Sequence, residues 1–253
     1  MAELRGRSTL MCERFTQHYA WEEIHGLYGL PARKPSSEMH PRYKICPTTR
    51  IDTVRLVNRK RIFEPMRWGL VPSWWLMGTE PENPATFNTH VETVATLSFF
   101  RSSFRRRHCL IPVSGFYAWQ DIPGGRQPYY CARRDGSVMT IAGLWDEWCH
   151  PDTGKLIRSC SMMIGGPNKF VAEVCDRMPV ILEPGQFQPW LLGEAGLELL
   201  MPAGGKVLKK HPVSKRVIGV RASDADETLI RKVTLPARIS PQARPAIGIH
   251  HPG

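Results

Sequence analysis

The sequence predicts an α+β domain with a strand-rich core, and three observations carry that reading. From Ile51 onward the apolar residues come in short runs, those runs are bounded by Gly- and Pro-containing turns, and only four windows read as helices. No apolar run approaches the roughly 20 residues that a membrane-crossing helix needs, so no membrane partner is expected.

The first helix is expected over residues 21–30, because Trp21, Ile24 and Tyr28 fall at helical spacing. Strands are expected at 53–57, 109–113, 129–132, 138–142, 161–164 and 179–182. Pro123-Gly124-Gly125 and Asp135-Gly136 supply turns between them. The remaining helices are read at 91–100, 168–175 and 184–192. After Val217 the hydrophobic punctuation fades, and the proline-containing stretch 235–253 reads as a mobile tail. Its His250 and His251 are expected to sit in solvent, and no metal site is expected anywhere. With no internal repeat and no long low-complexity linker, the chain reads as one domain.

Hydrophobic residues make up 42% of the 253, which supports a sizeable core and excludes wholesale disorder. The seven cysteines are odd in number and scattered, with no C-x-x-C, which argues against a zinc ribbon or disulfide framework and fits a reducing cytoplasm. Residues 1–10 carry Glu3, Arg5 and Arg7 and no apolar stretch, so no secretory signal is expected there. The net charge of +11 favours a polyanionic partner, the alternative being a merely basic surface. Its placement points to the former: Arg101, Arg105, Arg106, Arg107 and His108 cluster, as do Arg55, Arg59, Lys60 and Arg61.

Several separated motifs then share one order. They are Met11-Cys12-Glu13-Arg14-Phe15, Trp68-Gly69-Leu70-Val71-Pro72-Ser73-Trp74, Asn88-Thr89-His90-Val91-Glu92-Thr93 and Arg106-Arg107-His108-Cys109-Leu110-Ile111-Pro112. Gly115-Phe116-Tyr117-Ala118-Trp119, Ala142-Gly143-Leu144-Trp145, Asp176-Arg177-Met178-Pro179 and His211-Pro212-Val213-Ser214 complete the series. In this order they resemble the SRAP family (SOS response-associated peptidase). The resemblance implies a single barrel-like domain with peripheral helices over residues 11–220, flanked by extensions at 1–10 and 221–253. It also implies a basic groove for single-stranded DNA and a covalent bond between an N-terminal cysteine and the aldehyde of an abasic site. A monomer without cofactor is expected, cytoplasmic, and nucleoid-associated when bound to DNA.

The need for an N-terminal cysteine can be derived. An α-amine with a pKa of about 8 is partly neutral at pH ~7 and condenses with an aldehyde. The thiol of the same residue then closes a five-membered thiazolidine at intramolecular advantage. Cys12 is the residue that the resemblance selects, yet residues 1–10 precede Met11 and its nitrogen is an amide in the chain as written. Either the chain starts at Met11 and loses it, or the extension is cut away, or Cys12 is only a thiol. By resemblance Asn88 orients the terminal amine and the ring atoms. Arg14, Trp74, Trp75, His90, Arg105, Arg106 and Arg107 are the expected DNA contacts, with His90 standing where the family carries Arg. For Trp74 and Trp75, stacking under bases competes with packing. For the arginines, phosphate contact competes with a solvated helix end.

Two departures bear on chemistry. The family glutamate of G-F-Y-E-W is Ala118 here, and the family histidine before R-M-P is Cys175, so both acid–base groups are replaced. Glu13 replaces a glycine, Tyr43-Lys44-Ile45-Cys46-Pro47 replaces Y-N-x-A-P, and Ile164 replaces a usual Thr. Three functions follow: abasic-site crosslinking through Cys12, a degenerate module that grips single strands without efficient crosslinking, and self-processing of the N-terminus. No Ser-His-Asp or H-E-x-x-H pattern supports a general protease.

Overall fold

The computed structural model describes residues 13–33, 39–76, 86–194 and 196–236. Cys12, the extension 1–10 and the stretch beyond Pro236, with its terminal histidines, lie outside the described residues. The elements run β1 (Phe15–Gln17), α1 (Trp21–Tyr28), β2 (Arg42–Ile45), β3 (Arg50–Val57), β4 (Lys60–Trp68), β5 (Asn88–His90), α2 (Ser98–Arg106) and β6 (His108–Val113). They continue with β7 (Gly115–Ile122), β8 (Gly125–Arg133), β9 (Met139–Cys149), β10 (Leu156–Gly165), β11 (Met178–Pro179), β12 (Ile181–Leu182), α3 (Phe187–Leu192) and β13 (Leu208–Pro212).

Strand β10 pairs with β4 on one side and β9 on the other, so β10-β4-β3-β6-β9 close into a five-stranded barrel. Closure removes the free edges that an open sheet would expose. A second sheet, β13-β8-β7-β1-β2, packs beside it. The expected strand-rich, barrel-like α+β domain is therefore what forms.

Alternation along the strands sorts side chains between clusters. On β6, Cys109, Ile111 and Val113 join the main core with Phe15, Trp68, Phe116 and Met162, whereas Leu110 points to a second cluster. There it meets Trp21, Ile24 and Tyr28 of α1 and Phe187 and Trp190 of α3. Helix α1 starts where the Glu23 carboxylate accepts the Ala20 N–H at 2.8 Å and stops at Gly29, whose φ of 60° is left-handed. A third cluster, on the outer face of β7 and β8, holds Tyr117, Trp119, Tyr130, Val213, Val217 and Leu229.

Two local readings differ from expectation. The helix read at 91–100 forms instead at Ser98–Arg106, and 91–96 is a run of turns after β5. The β-branched Val91, Thr93, Val94 and Thr96 disfavour helix, and Val91 N–H extends the sheet by donating to Ile164 O at 3.0 Å. The helix read at 168–175 is likewise a run of turns. Beyond Val217 the chain is also held more firmly than its polarity suggests. Leu229 is fully buried, Tyr43 N–H donates to Asp224 O, and Val213 pairs with Lys232. Lys44, itself buried, donates its ammonium to the carbonyls of Gly219 (3.0 Å), Val220 (3.4 Å) and Ala222.

His108 opens β6 inside the aromatic packing, its ring centroid 4.3 Å from that of Trp190 and its edge against Phe104. Burial pushes its pKa down from 6.5 to about 4. Below pH 6.5 the unfolded chain therefore takes up a proton that the folded chain refuses, and folding weakens as pH falls until about pH 4. A loss on the order of 3 kcal/mol across that window is expected from this group. Denaturant unfolding at several pH values should show a shallower acid slope for His108→Phe than for the wild type.

Candidate nucleic-acid interface and pocket

Asn88 comes to the core edge through an unusual pairing. The three-residue β5 runs parallel to β10, with Asn88 opposite Met162, and Asn88 is 5% exposed. It is thus a buried strand residue rather than the turn residue that its polar surroundings suggest. Next to it Phe87 O accepts the Trp68 indole N–H at 2.8 Å, and Trp68 makes edge-on contacts with Phe15 and Phe87. Trp68 is fully buried and serves packing.

On the second sheet, Phe116 and Ala118 of β7 and Cys131 of β8 face the same main core, with Tyr129 packed against it. Ala118 stands directly opposite Tyr129, and Phe116 opposite Cys131. Cys175, half-buried, packs on that core too. Burial pushes the Cys131 thiol up to about 12, Lys210 opposes the shift, and Cys175 is near enough to add to it. Ala118 and Cys175 therefore both adjoin the core face of one sheet, beside β8. Gly115 at the start of this strand has a clear steric role. A Cβ there would fall 2.3 Å from the Tyr130 hydroxyl, which is held by Thr16 Oγ1 at 2.9 Å and His18 Nε2 at 3.2 Å.

The expected DNA contacts divide into groups. Trp74, 47% exposed, and Trp75 form a chain of ring contacts with Phe99 of α2, at centroid distances of 6.4, 5.8 and 6.2 Å. Trp75 is anchored from behind, its carbonyl accepting the Trp148 indole N–H at 2.7 Å. On the same helix Arg101, Arg105 and Arg106 are exposed and line an open pocket of about 390 Å³. Arg107 is different: its guanidinium pairs with the buried Asp146 and lies over the Trp145 ring at 5.5 Å. Asp146 also accepts from Ser73 N–H at 3.1 Å and Ser103 Oγ at 3.3 Å, so Arg107 is part of the frame beneath α2. Arg14 lies apart, donating to Ile218 O at 3.2 Å, with the Glu13 carboxylate 3.9 Å away.

His90 of β5 is half-buried, 3.9 Å from Glu92. Burial lowers its pKa, Arg177 lowers it further and Glu92 raises it, so the ring is neutral at neutral pH. Arg177 itself pairs with Glu92. A guanidinium is thus present a short way from His90, on the segment leading into β11. Sequence reading passed over Arg177, although its place in the R-M-P run pointed to it. It also passed over Phe99, which adds a third ring to the tryptophan pair. Among the described residues no group of three or more His, Cys, Asp or Glu side chains is placed to hold a metal.

Comparison with known proteins matches residues 11–220 to the family described as SOS response associated peptidase (SRAP). The chain belongs to the SRAP family. Among its relatives, "Abasic site processing protein YoqW" of Bacillus subtilis (strain 168) is 29% identical over 182 residues, covering 72% of this chain and 80% of YoqW. "Abasic site processing protein YedK" of Escherichia coli (strain K12) is 24% identical over 225 residues, covering 85% and 98%. "Abasic site processing protein HMCES" of Xenopus tropicalis is 30% identical over 185 residues, covering 62% of this chain and 54% of that protein. An X-ray structure of a Bacteroides thetaiotaomicron protein shares the fold with a TM-score of 0.77 at 19% identity, covering 88% of this chain and 100% of the other. One from Bordetella bronchiseptica gives 0.66 at 27% identity, covering 80% and 100%.

In this SRAP chain the arginine run separates into frame and surface, and stability measurements should reveal the split. Arg107→Ala removes the cation that pairs with the buried Asp146 and should cost about 1–3 kcal/mol in denaturant unfolding. Arg105→Ala and Arg106→Ala, on the exposed side of α2, should each stay within about 0.5 kcal/mol of wild type.

Proposed function

We propose that this chain captures abasic sites in single-stranded DNA, holding the strand on the Trp74–Trp75–Phe99 rings and the α2 arginines and bonding the sugar aldehyde through Cys12. The observation that carries this reading is the aromatic chain with exposed cations on the same helix. Rings stack on bases of any sequence, and the arginines answer the phosphates. SRAP membership and relatives named abasic site processing proteins supply the substrate class.

The chemistry needs a free α-amine on Cys12. That amine adds to the aldehyde and water leaves as the imine forms; the thiol sulfur then adds to the imine carbon, its proton passing to nitrogen, and the thiazolidine closes. Proton transfers accompany ring-opening of the sugar and loss of the hydroxyl, and a positioned carboxyl or imidazole typically contributes ~100- to 10,000-fold. Ala118 moves no proton, and a thiol is in general a weaker acid than imidazolium. Crosslinking is therefore slow, and reversal is slowed at least as much. These same two replacements favour the second reading, a module that grips single strands without an efficient covalent step.

A denaturing gel with an abasic oligonucleotide separates the readings, since only a covalent adduct survives denaturation. The chain expressed from Met11, with intact mass confirming that it begins at Cys12, should form adduct slowly, Cys12→Ala none, and the Ala118→Glu/Cys175→His double variant should be faster. Equal rates for wild type and double variant would refute the impaired pocket; no adduct from any of them would leave the binding module. For the strand itself, Arg101, Arg105 and Arg106 changed together to Ala should weaken binding to all sequences alike and flatten the dependence of log affinity on log salt. Equal affinity at low salt would remove α2 from the interface.

A further inference from the structure

We propose that the Tyr129 hydroxyl is the proton-transfer group at the wall where Ala118 has replaced a carboxyl. This inference rests on the crosslinking reading above and names the residue that sustains its residual rate.

The placement is fixed by the β7–β8 ladder. Tyr129 is the residue directly opposite Ala118, and side chains opposite each other in an antiparallel pair project to the same face. That face is the main core, which Ala118 and Cys131 join and against which Tyr129 and Cys175 pack. Tyr117, Trp119 and Tyr130 alternate to the other side.

Tyr129 is only half-buried, and among the described residues its hydroxyl is engaged in no hydrogen bond. Tyr117 and Tyr130 differ in this respect, donating to Tyr43 O at 2.6 Å and bonding Thr16 at 2.9 Å respectively.

Carboxylates elsewhere in the domain already have partners. Glu92 pairs with Arg177, Asp146 with Arg107 and Glu147 with Arg158 at 2.6 Å, whereas the Glu13 carboxyl, 3.9 Å from Arg14, has its pKa pushed up by burial and is the rival proton donor. Tyr129 is thus an available O–H beside the replaced position.

A phenol suits the step. When the closed sugar opens, its C1–O4 bond breaks, O4 gains a proton and the C1 hydroxyl loses one to become the aldehyde. Tyr129 gives its proton to O4 and recovers one from the C1 hydroxyl, directly or through water, so nothing is consumed. Phenols as a class keep their proton through neutral pH, where an ordinary carboxyl has lost its own.

The test uses the full domain expressed from Met11 and an abasic single-stranded oligonucleotide, with adduct followed on denaturing gels. Tyr129→Phe should slow adduct formation by about 100-fold or more. Its thermal unfolding, and its affinity for an intact strand, should match the wild type. Adding Ala118→Glu to Tyr129→Phe should restore most of the rate, and the restored rate should fall as pH rises through the carboxyl's range.

An unchanged rate for Tyr129→Phe overturns the proposal. So does a slowed rate that Ala118→Glu fails to restore, since that marks a structural role. Absence of adduct from the wild type itself overturns the crosslinking reading and this inference with it, and is distinguishable because no variant is then needed to see it.

Discussion

Trp68 is the point on which the framing strands converge. Its backbone N–H donates to Thr49 O at 2.8 Å and its carbonyl accepts from Thr48 N–H at 2.7 Å, which fixes the start of β3 against the end of β4. Its ring wedges between Phe15 of β1 and Phe87, and its indole N–H reaches Phe87 O. One buried side chain thereby sets the positions of the strand that follows Glu13, the strand that carries Asn88 and the barrel wall at Cys160. Large aromatic groups with a satisfied polar handle are suited to this, because packing and one directed bond together leave a single arrangement.

That arrangement keeps the proposed binding surface and the proposed reaction wall on separate supports. The rings of Trp74, Trp75 and Phe99 sit where α2 meets the segment after β4, while Ala118, Tyr129 and Cys131 belong to the neighbouring sheet. The core face of that sheet can change composition without disturbing α2, whose footing is the Arg107–Asp146 pair over Trp145. An alanine at position 118 and a cysteine at 175 are therefore compatible with an intact aromatic and cationic surface.

Much of the fold was legible because strands with β-branched, apolar inward faces announce themselves: β3, β6 and β9 all do. Strand β4 was hidden, since Lys60, Arg61, Glu64 and Arg67 break its apolar pattern. Glu64 in fact accepts from Arg55 at 2.8 Å and Arg158 at 2.7 Å, so the charges serve as cross-strand partners. Asn88 could be named from its motif, but its burial comes from a parallel pairing some 70 residues away in sequence, which no local pattern encodes. The inward use of Arg107 was likewise invisible, because three adjacent arginines read alike until Asp146 is placed beneath one of them.

Lys44 carries a consequence for where the domain can be cut. The family match ends at residue 220, yet the ammonium of Lys44 is satisfied by carbonyls on both sides of that point, Gly219 and Ala222 among them. Downstream, Leu229 fills the outer cluster and Val233 N–H donates to Pro212 O at 2.9 Å. Trimming the chain to the matched segment would remove one of the three carbonyls that accept from a buried cation and open an apolar seam beside β8. A shortened version that keeps its fold has to run through Val233, so the physical unit is longer than the homologous one.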